Sequence, residues 1–227
     1  MTTTQSAASG VEPTFNSLAV RGHRNRLREP GIALCGSRAA GVQGIAFANA
    51  VGTFAAQANL SLVSGYAKGV DIAGHVACVE AGGHTVAVLA EGLGRFRLRR
   101  ELQAAIEPWD ELERHLTVVS QFESNAGWTV WRAMQRNDLI CALGVVLVAI
   151  DPGDSGGTYD AVNKAFKREM PVVIGWSDPE RERDHVDLWL SKPRVRLASS
   201  EGELIAAIDG AMTSEAPTPE ISQPTLL

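Results

Sequence analysis

Three short segments rich in glycine and hydroxyl side chains each follow an apolar run that predicts a β-strand. They are Gly36-Ser37-Arg38, residues 64–69 and residues 154–158. Each precedes a predicted helix, where unpaired backbone N–H groups and the positive end of the helix dipole favour an anion. Glycine lets the backbone approach closely, and Ser or Thr hydroxyls add donors. The three loops therefore predict contact with phosphate groups.

Basic side chains accompany these loops. Arg38 lies in the first loop and Lys68 in the second. Farther along, Arg132 and Arg136 are spaced i,i+4 on a predicted helix and so share one face, and Asn137 follows directly. This spacing predicts a basic face near the sheet rim that meets a phosphate or a base edge. A solvent-facing arginine pair is the alternative.

The same helix also carries apolar and aromatic side chains. Val130, Met134 and Cys141 predict an apolar stripe opposite the arginines. Trp128 and Trp131 have the ring size to stack on nucleic-acid bases. Packing in the core or at a dimer surface is the favoured interpretation for both.

Asp71 and His75 are spaced i,i+4 at the start of the helix after the second loop. Such a pair could act in acid–base chemistry. The favoured interpretation is structural, with Asp71 capping the turn and His75 satisfying a buried carbonyl. None of the loops is a Walker A sequence or a complete GxGxxG, which disfavours nucleoside triphosphate hydrolysis and ordinary dinucleotide binding.

Strands and helices alternate along the chain. Short runs that are apolar at nearly every position predict strands covered on both faces, at 32–35, 60–63, 85–89, 116–119, 145–150, 172–174 and, more weakly, 195–198. Helix-length stretches lie between them, at 44–58, 70–81, 128–143, 159–168 and 201–212. This order predicts an α/β fold, a doubly wound, mostly parallel, Rossmann-like sheet in a single domain, with ligands outside the carboxyl ends of the strands.

The chain of 227 residues divides into three predicted parts. Residues 1–30 are expected to be a flexible basic extension, residues 31–212 the Rossmann-like domain, and residues 213–227 a disordered tail rich in Pro, Ser and Thr. The net charge of −5 gives no whole-protein attraction to nucleic acid. Two arginine clusters, at 21–28 and 95–100, are interpreted as solvated faces.

Cysteine usage and the chain start suggest an intracellular protein. Cys35, Cys78 and Cys141 lie far apart without CxxC spacing, so we expect buried free thiols. No apolar run reaches the roughly 20 residues of a membrane span, and the start lacks the pattern of a secretory signal. We therefore expect a cytoplasmic protein without a membrane contact, a metal site or a cofactor.

Six segments occur in a familiar order and spacing: GSR at 36–38, SGYAKGVDIAGH at 64–75, AGGHTVAVLAEGL at 81–93, SQF at 120–122, QRNDLICAL at 135–143 and SGGT at 155–158. Together they resemble the Rossmann-like domain of the DprA (Smf) DNA-processing family. The likeness spans about residues 31 to 175. Asp138, Gln121 and the segment after Leu93 depart from the family pattern.

The resemblance implies a protein that binds single-stranded DNA, loads RecA recombinase onto it and acts as a homodimer in natural transformation and DNA processing. It places Arg38, Lys68 and Arg136 in the basic pocket of the family. It also assigns phosphate handling to the remaining loop residues, namely Gly36, Ser37, Ser64, Gly65, Gly69, Asn137, Gly156, Gly157 and Thr158. The apolar run 145–150 is expected to lie near a sheet edge at which two copies meet. We expect no room for the additional domains of longer members.

Two other functions remain open. The related lysine-decarboxylase-like (LOG) group cleaves nucleoside monophosphates with a PGGxGTxxE motif, whereas this chain has SGGTYDAV. A sensor that binds a nucleotide signal in the same crevice is the other alternative. The favoured hypothesis is a DNA-binding protein that is not an enzyme.

Overall fold

The computed structural model of the protein describes residues 18–105 and 112–213. Its strands are β1 Ala19–Arg21, β2 Gly31–Gly36, β3 Ser61–Ser64, β4 Thr85–Val88, β5 Leu116–Ser120, β6 Gly144–Ile150, β7 Val172–Gly175 and β8 Val195–Ala198. Its α-helices are α1 Val42–Gln57, α2 Val70–Glu80, α3 Arg100–Ala105, α4 Leu112–His115, α5 Val130–Leu143, α6 Gly156–Lys167, α7 Asp184–Leu190 and α8 Glu201–Thr213. Within the described ranges, no helix has both the length and the apolar character needed to span a membrane.

The strands form one eight-stranded sheet in the order β1-β5-β4-β3-β2-β6-β7-β8. Neighbouring strands are parallel except β1 and β5, which are antiparallel. All seven predicted strands are present. The predicted α/β class with a doubly wound, mostly parallel sheet is confirmed.

Both faces of the central strands are buried, which explains why their sequences are apolar at almost every position. In β2, Ile32 and Leu34 face the side covered by α1 and α8. The intervening Ala33 and Cys35 face the side covered by α5, α6 and α7. The three cysteines are buried free thiols, as expected.

Residues 19–28 depart from the expectation of a flexible extension. Ala19–Arg21 pairs antiparallel with β5, and Arg24–Arg28 forms a turn of 3-10 helix. Three residues are too few to show an alternating pattern, so the sequence did not reveal this strand. Residues 1–17 and the predicted tail, apart from Thr213 at the end of α8, lie outside the described residues.

β6 lies in the middle of the sheet, between β2 and β7. Val146 to Ile150 are fully buried there. The expectation that this run lies near a sheet edge is therefore wrong. Its uninterrupted apolar character reflects coverage on two faces rather than a surface for another copy.

Candidate functional site

The three predicted loops follow three adjacent strands. The first leaves β2, the second leaves β3 and the third leaves β6, and β2 lies between the other two. The chain turns back from β2 through α1 to β3 on one side, and from β6 through α6 to β7 on the other. The carboxyl ends of β2 and β6 therefore flank the crevice at which open α/β sheets usually bind ligands.

The first two loops are interlocked through their backbones. The N–H of Val70 donates to the carbonyl oxygen of Ser37 over 3.2 Å. Gly69 has φ of +78°, and a Cβ atom there would lie 2.4 Å from the same oxygen. Only glycine fits this conformation and this contact. Arg38 and Lys68 are exposed on these two interlocked loops, and we call the pair the basic rim.

Arg136 lies beneath the basic rim rather than on the surface. It is only 6% exposed, and its Nη2 lies 3.9 Å from Asp71 Oδ2. A Cβ atom at Gly65 would lie 1.7 Å from Arg136 Nη1, so the guanidinium group occupies the space that a side chain at position 65 would need. Asp71 also accepts a hydrogen bond from the N–H of Ala67 over 3.2 Å. The ion pair thus joins α5 to the second loop and α2.

Burial and charge act in opposite directions on this ion pair. Burial raises the pKa of Asp71, and the charge of Arg136 counteracts that rise. Burial likewise lowers the pKa of Arg136, and Asp71 opposes that shift. Within the described part of the chain, Arg38 and Lys68 form no ion pair with a carboxylate. The basic rim therefore carries positive charge that the neighbouring side chains do not neutralise.

His75 does not meet Asp71 as an acid–base pair. It is fully buried, and its Nδ1 lies 2.5 Å from the hydroxyl of Thr85. That hydroxyl donates to the carbonyl of Leu62 over 2.9 Å, so it accepts the Nδ1 proton of a neutral imidazole. Burial lowers the pKa of His75 to about 3. The ring therefore joins α2 to β4 as an uncharged group.

The third loop is held by Asn137. The Asn137 Nδ2 donates to the carbonyl of Gly157 over 3.0 Å and to Asp160 Oδ2 over 2.8 Å. Lys164 also lies 3.5 Å from the Asp160 carboxylate. Gly156 and Gly157 are exposed, and Thr158 is half-buried at the start of α6. Asn137 is thus turned towards this loop and not towards solvent.

The hydroxyl groups of the first two loops are engaged by the protein. Ser64 is fully buried and donates to the carbonyl of Leu34 over 2.7 Å. Ser37 is half-buried, and its Oγ accepts from the N–H of Ala39 over 3.2 Å. Gly36 packs tightly, since a Cβ atom there would lie 2.7 Å from both methyl carbons of Val70. These residues shape the loops.

The predicted faces of α5 are partly reversed. Arg136 is buried, whereas Val130 of the predicted apolar stripe is 60% exposed. The reason is that the first turn of α5 is exposed, whereas Arg136 in the middle of the helix meets the polar pocket made by Gly65 and Asp71. Arg132 lies apart from Arg136: its guanidinium group donates to the carbonyl of Gly127 and lies 5.8 Å from the ring centroid of Phe122.

The favoured interpretation of the two tryptophans was packing in the core or at a dimer surface. Packing in the core is wrong, because both side chains lie at the surface. Trp128 and Trp131 are 48% and 66% exposed. The guanidinium carbon of Arg38 lies 5.4 Å from the ring centroid of Trp128, within the range of a cation–π contact. The aromatic pair therefore adjoins the basic rim.

Sequence reasoning also missed a contact between the second loop and the second arginine cluster. The hydroxyl of Tyr66 accepts from the N–H of Arg99 over 2.7 Å, and the Arg99 guanidinium carbon lies 5.3 Å from the Tyr66 ring centroid. Tyr66 has φ of +61°, a conformation that needs such support. The signals for this contact in the sequence were an aromatic residue next to Gly65 and four arginines within residues 95–100.

A family model for the DNA recombination-mediator protein A matches residues 9–213. Over 194 residues the chain is 25% identical to Protein Smf of Escherichia coli (strain K12), which covers 83% of this chain and 50% of that protein. Over 79 residues it is 39% identical to the DNA processing protein DprA of Streptococcus pneumoniae (strain ATCC BAA-255 / R6), covering 35% of this chain and 28% of that protein. The chain thus spans half or less of the length of these relatives.

A solved structure shows the same architecture. The DNA processing protein A from Helicobacter pylori, which has its own mode of binding single-stranded DNA, superimposes with a TM-score of 0.70. The two sequences are 20% identical, and the match covers 85% of this chain and 86% of that one. At this identity the similarity shows a common fold.

Proposed function

The chain belongs to the DNA recombination-mediator protein A family, and we propose that it binds single-stranded DNA through the basic rim. The observation that carries this proposal is the pair of exposed cations, Arg38 and Lys68, on two loops that are locked together at the carboxyl edge of the sheet. Two exposed cations on interlocked, neighbouring loops suit successive phosphates of one DNA strand. The exposed turn of Gly156, Gly157 and Thr158 extends the proposed surface with backbone N–H groups at a helix start.

Arg136 has a different role in this proposal from that of the exposed cations. Because it is buried against Gly65 and paired with Asp71, it supports the second loop from below and does not contact the phosphate itself. Asn137 supports the third loop in the same way, through Gly157 and Asp160. Both are therefore proposed as positioning residues for DNA binding.

The proposed activity is binding without turnover. Glycosidic cleavage of a nucleotide needs a carboxylate free to stabilise the developing charge or to activate water. Asp160 is engaged by Asn137 and Lys164, and Asp71 is engaged by Arg136 and Ala67. These engagements support a binding protein over the alternative of a nucleoside monophosphate phosphoribohydrolase.

The wider biological role is also a proposal. By analogy with its family, the chain would act in DNA recombination and processing, including transformation, as a cytoplasmic homodimer that delivers RecA to single strands. The binding of a single strand is the part that the basic rim supports directly, and it is the step to test first.

Fluorescence anisotropy with labelled oligo-dT, compared with a duplex of the same length and with mononucleotides, tests the proposal. We expect oligo-dT to bind more tightly than either competitor. With two or three phosphates neutralised, log K should fall against log salt with a slope of about −1.4 to −2.1, at roughly −0.7 for each phosphate. No binding at low salt, or equal affinity for the duplex, would contradict the proposal.

Charge reversal locates the surface. Lys68→Glu and Arg38→Glu should each abolish oligo-dT binding without changing the circular dichroism spectrum or the thermal midpoint, because both side chains are exposed. Lys167→Glu is the matched control, since Lys167 is exposed in the last turn of α6, at the opposite edge of the sheet. It should bind like the unmodified protein. A loss of folded structure in Lys68→Glu would show instead that this lysine is structural.

A further inference from the structure

Two tryptophans stand exposed at the start of α5. Trp128 and Trp131 are 48% and 66% exposed, and Val130 between them is 60% exposed. In contrast, Trp176 and Trp189 are buried in the core. A packed tryptophan buries about 150–250 Å² and contributes strongly to stability. Leaving two of them at one surface position forgoes that contribution, and apolar patches with a polar border mark binding surfaces.

The exposed pair is fixed in place next to the basic rim. Arg38, one of the two exposed cations of the rim, lies 5.4 Å from the Trp128 ring centroid. On the other side, the side chain of Thr129 accepts from the N–H of Arg132 over 3.1 Å and caps α5. The Arg132 guanidinium group donates to the carbonyl of Gly127. The segment that carries the indoles is therefore anchored, and Arg38 of the basic rim lies against Trp128.

This arrangement favours one kind of occupant. A surface that presents exposed indole rings next to the basic rim is complementary to a ligand with flat apolar faces and regularly spaced negative charges. Unpaired nucleobases on a phosphate backbone have both properties, and each base–aromatic stack adds affinity whatever the base. In a duplex the base faces are already stacked on one another and are not available.

We propose that Trp128 and Trp131 form a stacking platform for unpaired bases of the strand whose phosphates lie on the basic rim. The inference rests on the proposed function and extends it, because it explains how the site prefers a single strand to a duplex. Phosphate contacts at Arg38 and Lys68 would supply the salt-dependent part of the affinity. Stacking would supply a part that persists at high salt.

The test compares oligo-dT with an oligomer of equal length and charge in which every nucleotide is an abasic tetrahydrofuran residue. We expect the unmodified protein to bind oligo-dT at least about fivefold more tightly than the abasic oligomer, which corresponds to about 1 kcal/mol, the lower limit for stacking of one base. The double variant Trp128→Ala/Trp131→Ala should lose this preference while binding the abasic oligomer within about threefold of the unmodified protein. The single variant Trp131→Phe, which keeps an aromatic ring at this position, should retain part of the preference for oligo-dT. Leu188→Ala, which removes another highly exposed apolar side chain, on α7, is the control and should retain it in full.

The outcomes separate the two proposals. If the unmodified protein binds both oligomers equally, with the salt slope expected of phosphate contacts, the stacking platform is refuted and the proposed function stands. If it binds neither, both are refuted. If the tryptophan variants keep the preference but change a dimer into a monomer by light scattering, the surface is a contact between two copies, and the stacking platform is again refuted.

Discussion

Gly65→Ala tests how the buried ion pair supports the second loop. The new methyl carbon would lie 1.7 Å from Arg136 Nη1, 1.9 Å from Nη2 and 2.0 Å from Cζ. Because no rotation of a methyl group relieves such contacts, the guanidinium group must leave its place over residue 65. Asp71 then remains as a carboxylate, 3% exposed, without its cation. Separating one partner from a buried pair costs about 3–5 kcal/mol.

We expect a value near the lower limit, about 3 kcal/mol, because the displaced arginine can reach solvent. For a domain of this size the thermal midpoint should fall by about 6–12 °C, at roughly 2–4 °C for each kcal/mol. Urea denaturation at pH 7 measures the free energy directly. The loss should be smaller at pH 4, since burial already raises the pKa of Asp71 and protonation removes the unpaired charge.

Gly202→Ala is the matched control. Gly202 lies in the exposed first turn of α8, and a Cβ atom there meets nothing within 4 Å. Alanine at this position should leave stability unchanged or raise it by about 0.5–1 kcal/mol. The reasoning is refuted if Gly65→Ala unfolds at the same midpoint as the unmodified protein, or if its loss of stability is the same at pH 4 and pH 7.

Three further predictions concern pH, turnover and assembly. Burial lowers the pKa of His75 to about 3 and that of His84 to about 4, from 6.5. The contribution of each neutral, buried imidazole to the free energy of unfolding is therefore complete above pH 6.5. It is lost as the pH falls below 6.5, by about 2 kcal/mol for each histidine at pH 5. Urea midpoints that do not change between pH 7 and pH 5 would contradict this. Chromatography of AMP or CMP incubated with the protein should show no more free base than an Asp71→Ala/Asp160→Ala control. Light scattering at micromolar concentration should show a homodimer, and a single species of 24.2 kDa would count against it.

The order of strands and helices could be predicted because each parallel strand is buried on both faces. Runs such as Val145 to Ile150 admit hardly any polar residue, and the helices between them have ordinary lengths. The position of each strand within the sheet could not be predicted in the same way. β6 lies at the centre and β1 at an edge, and a run of apolar residues does not indicate which strands lie next to it.

The candidate site was only partly predictable for a similar reason. Loop glycines, Arg38 and Lys68 are visible in the sequence because strand ends and turn residues mark their positions. The burial of Arg136 is not, since its i,i+4 spacing from Arg132 describes a helix and says nothing about what packs against it. That packing depends on Gly65, 71 positions earlier in the chain, which leaves a space of the right size only after β3 and α5 have come together.

The buried ion pair and the exposed basic rim depend on one another. Asp71 neutralises most of the charge of Arg136, so that the local excess of positive charge comes from the exposed pair, Arg38 and Lys68. The whole chain carries a net charge of −5, which repels a polyanion at long range. At 0.1 M salt, however, the screening length is about 10 Å. A single DNA strand that lies close to the basic rim, as proposed, would therefore interact mainly with those two cations. In the proposed function, the basic rim would therefore hold DNA at one edge of the sheet, while the net negative charge of the chain would disfavour DNA elsewhere.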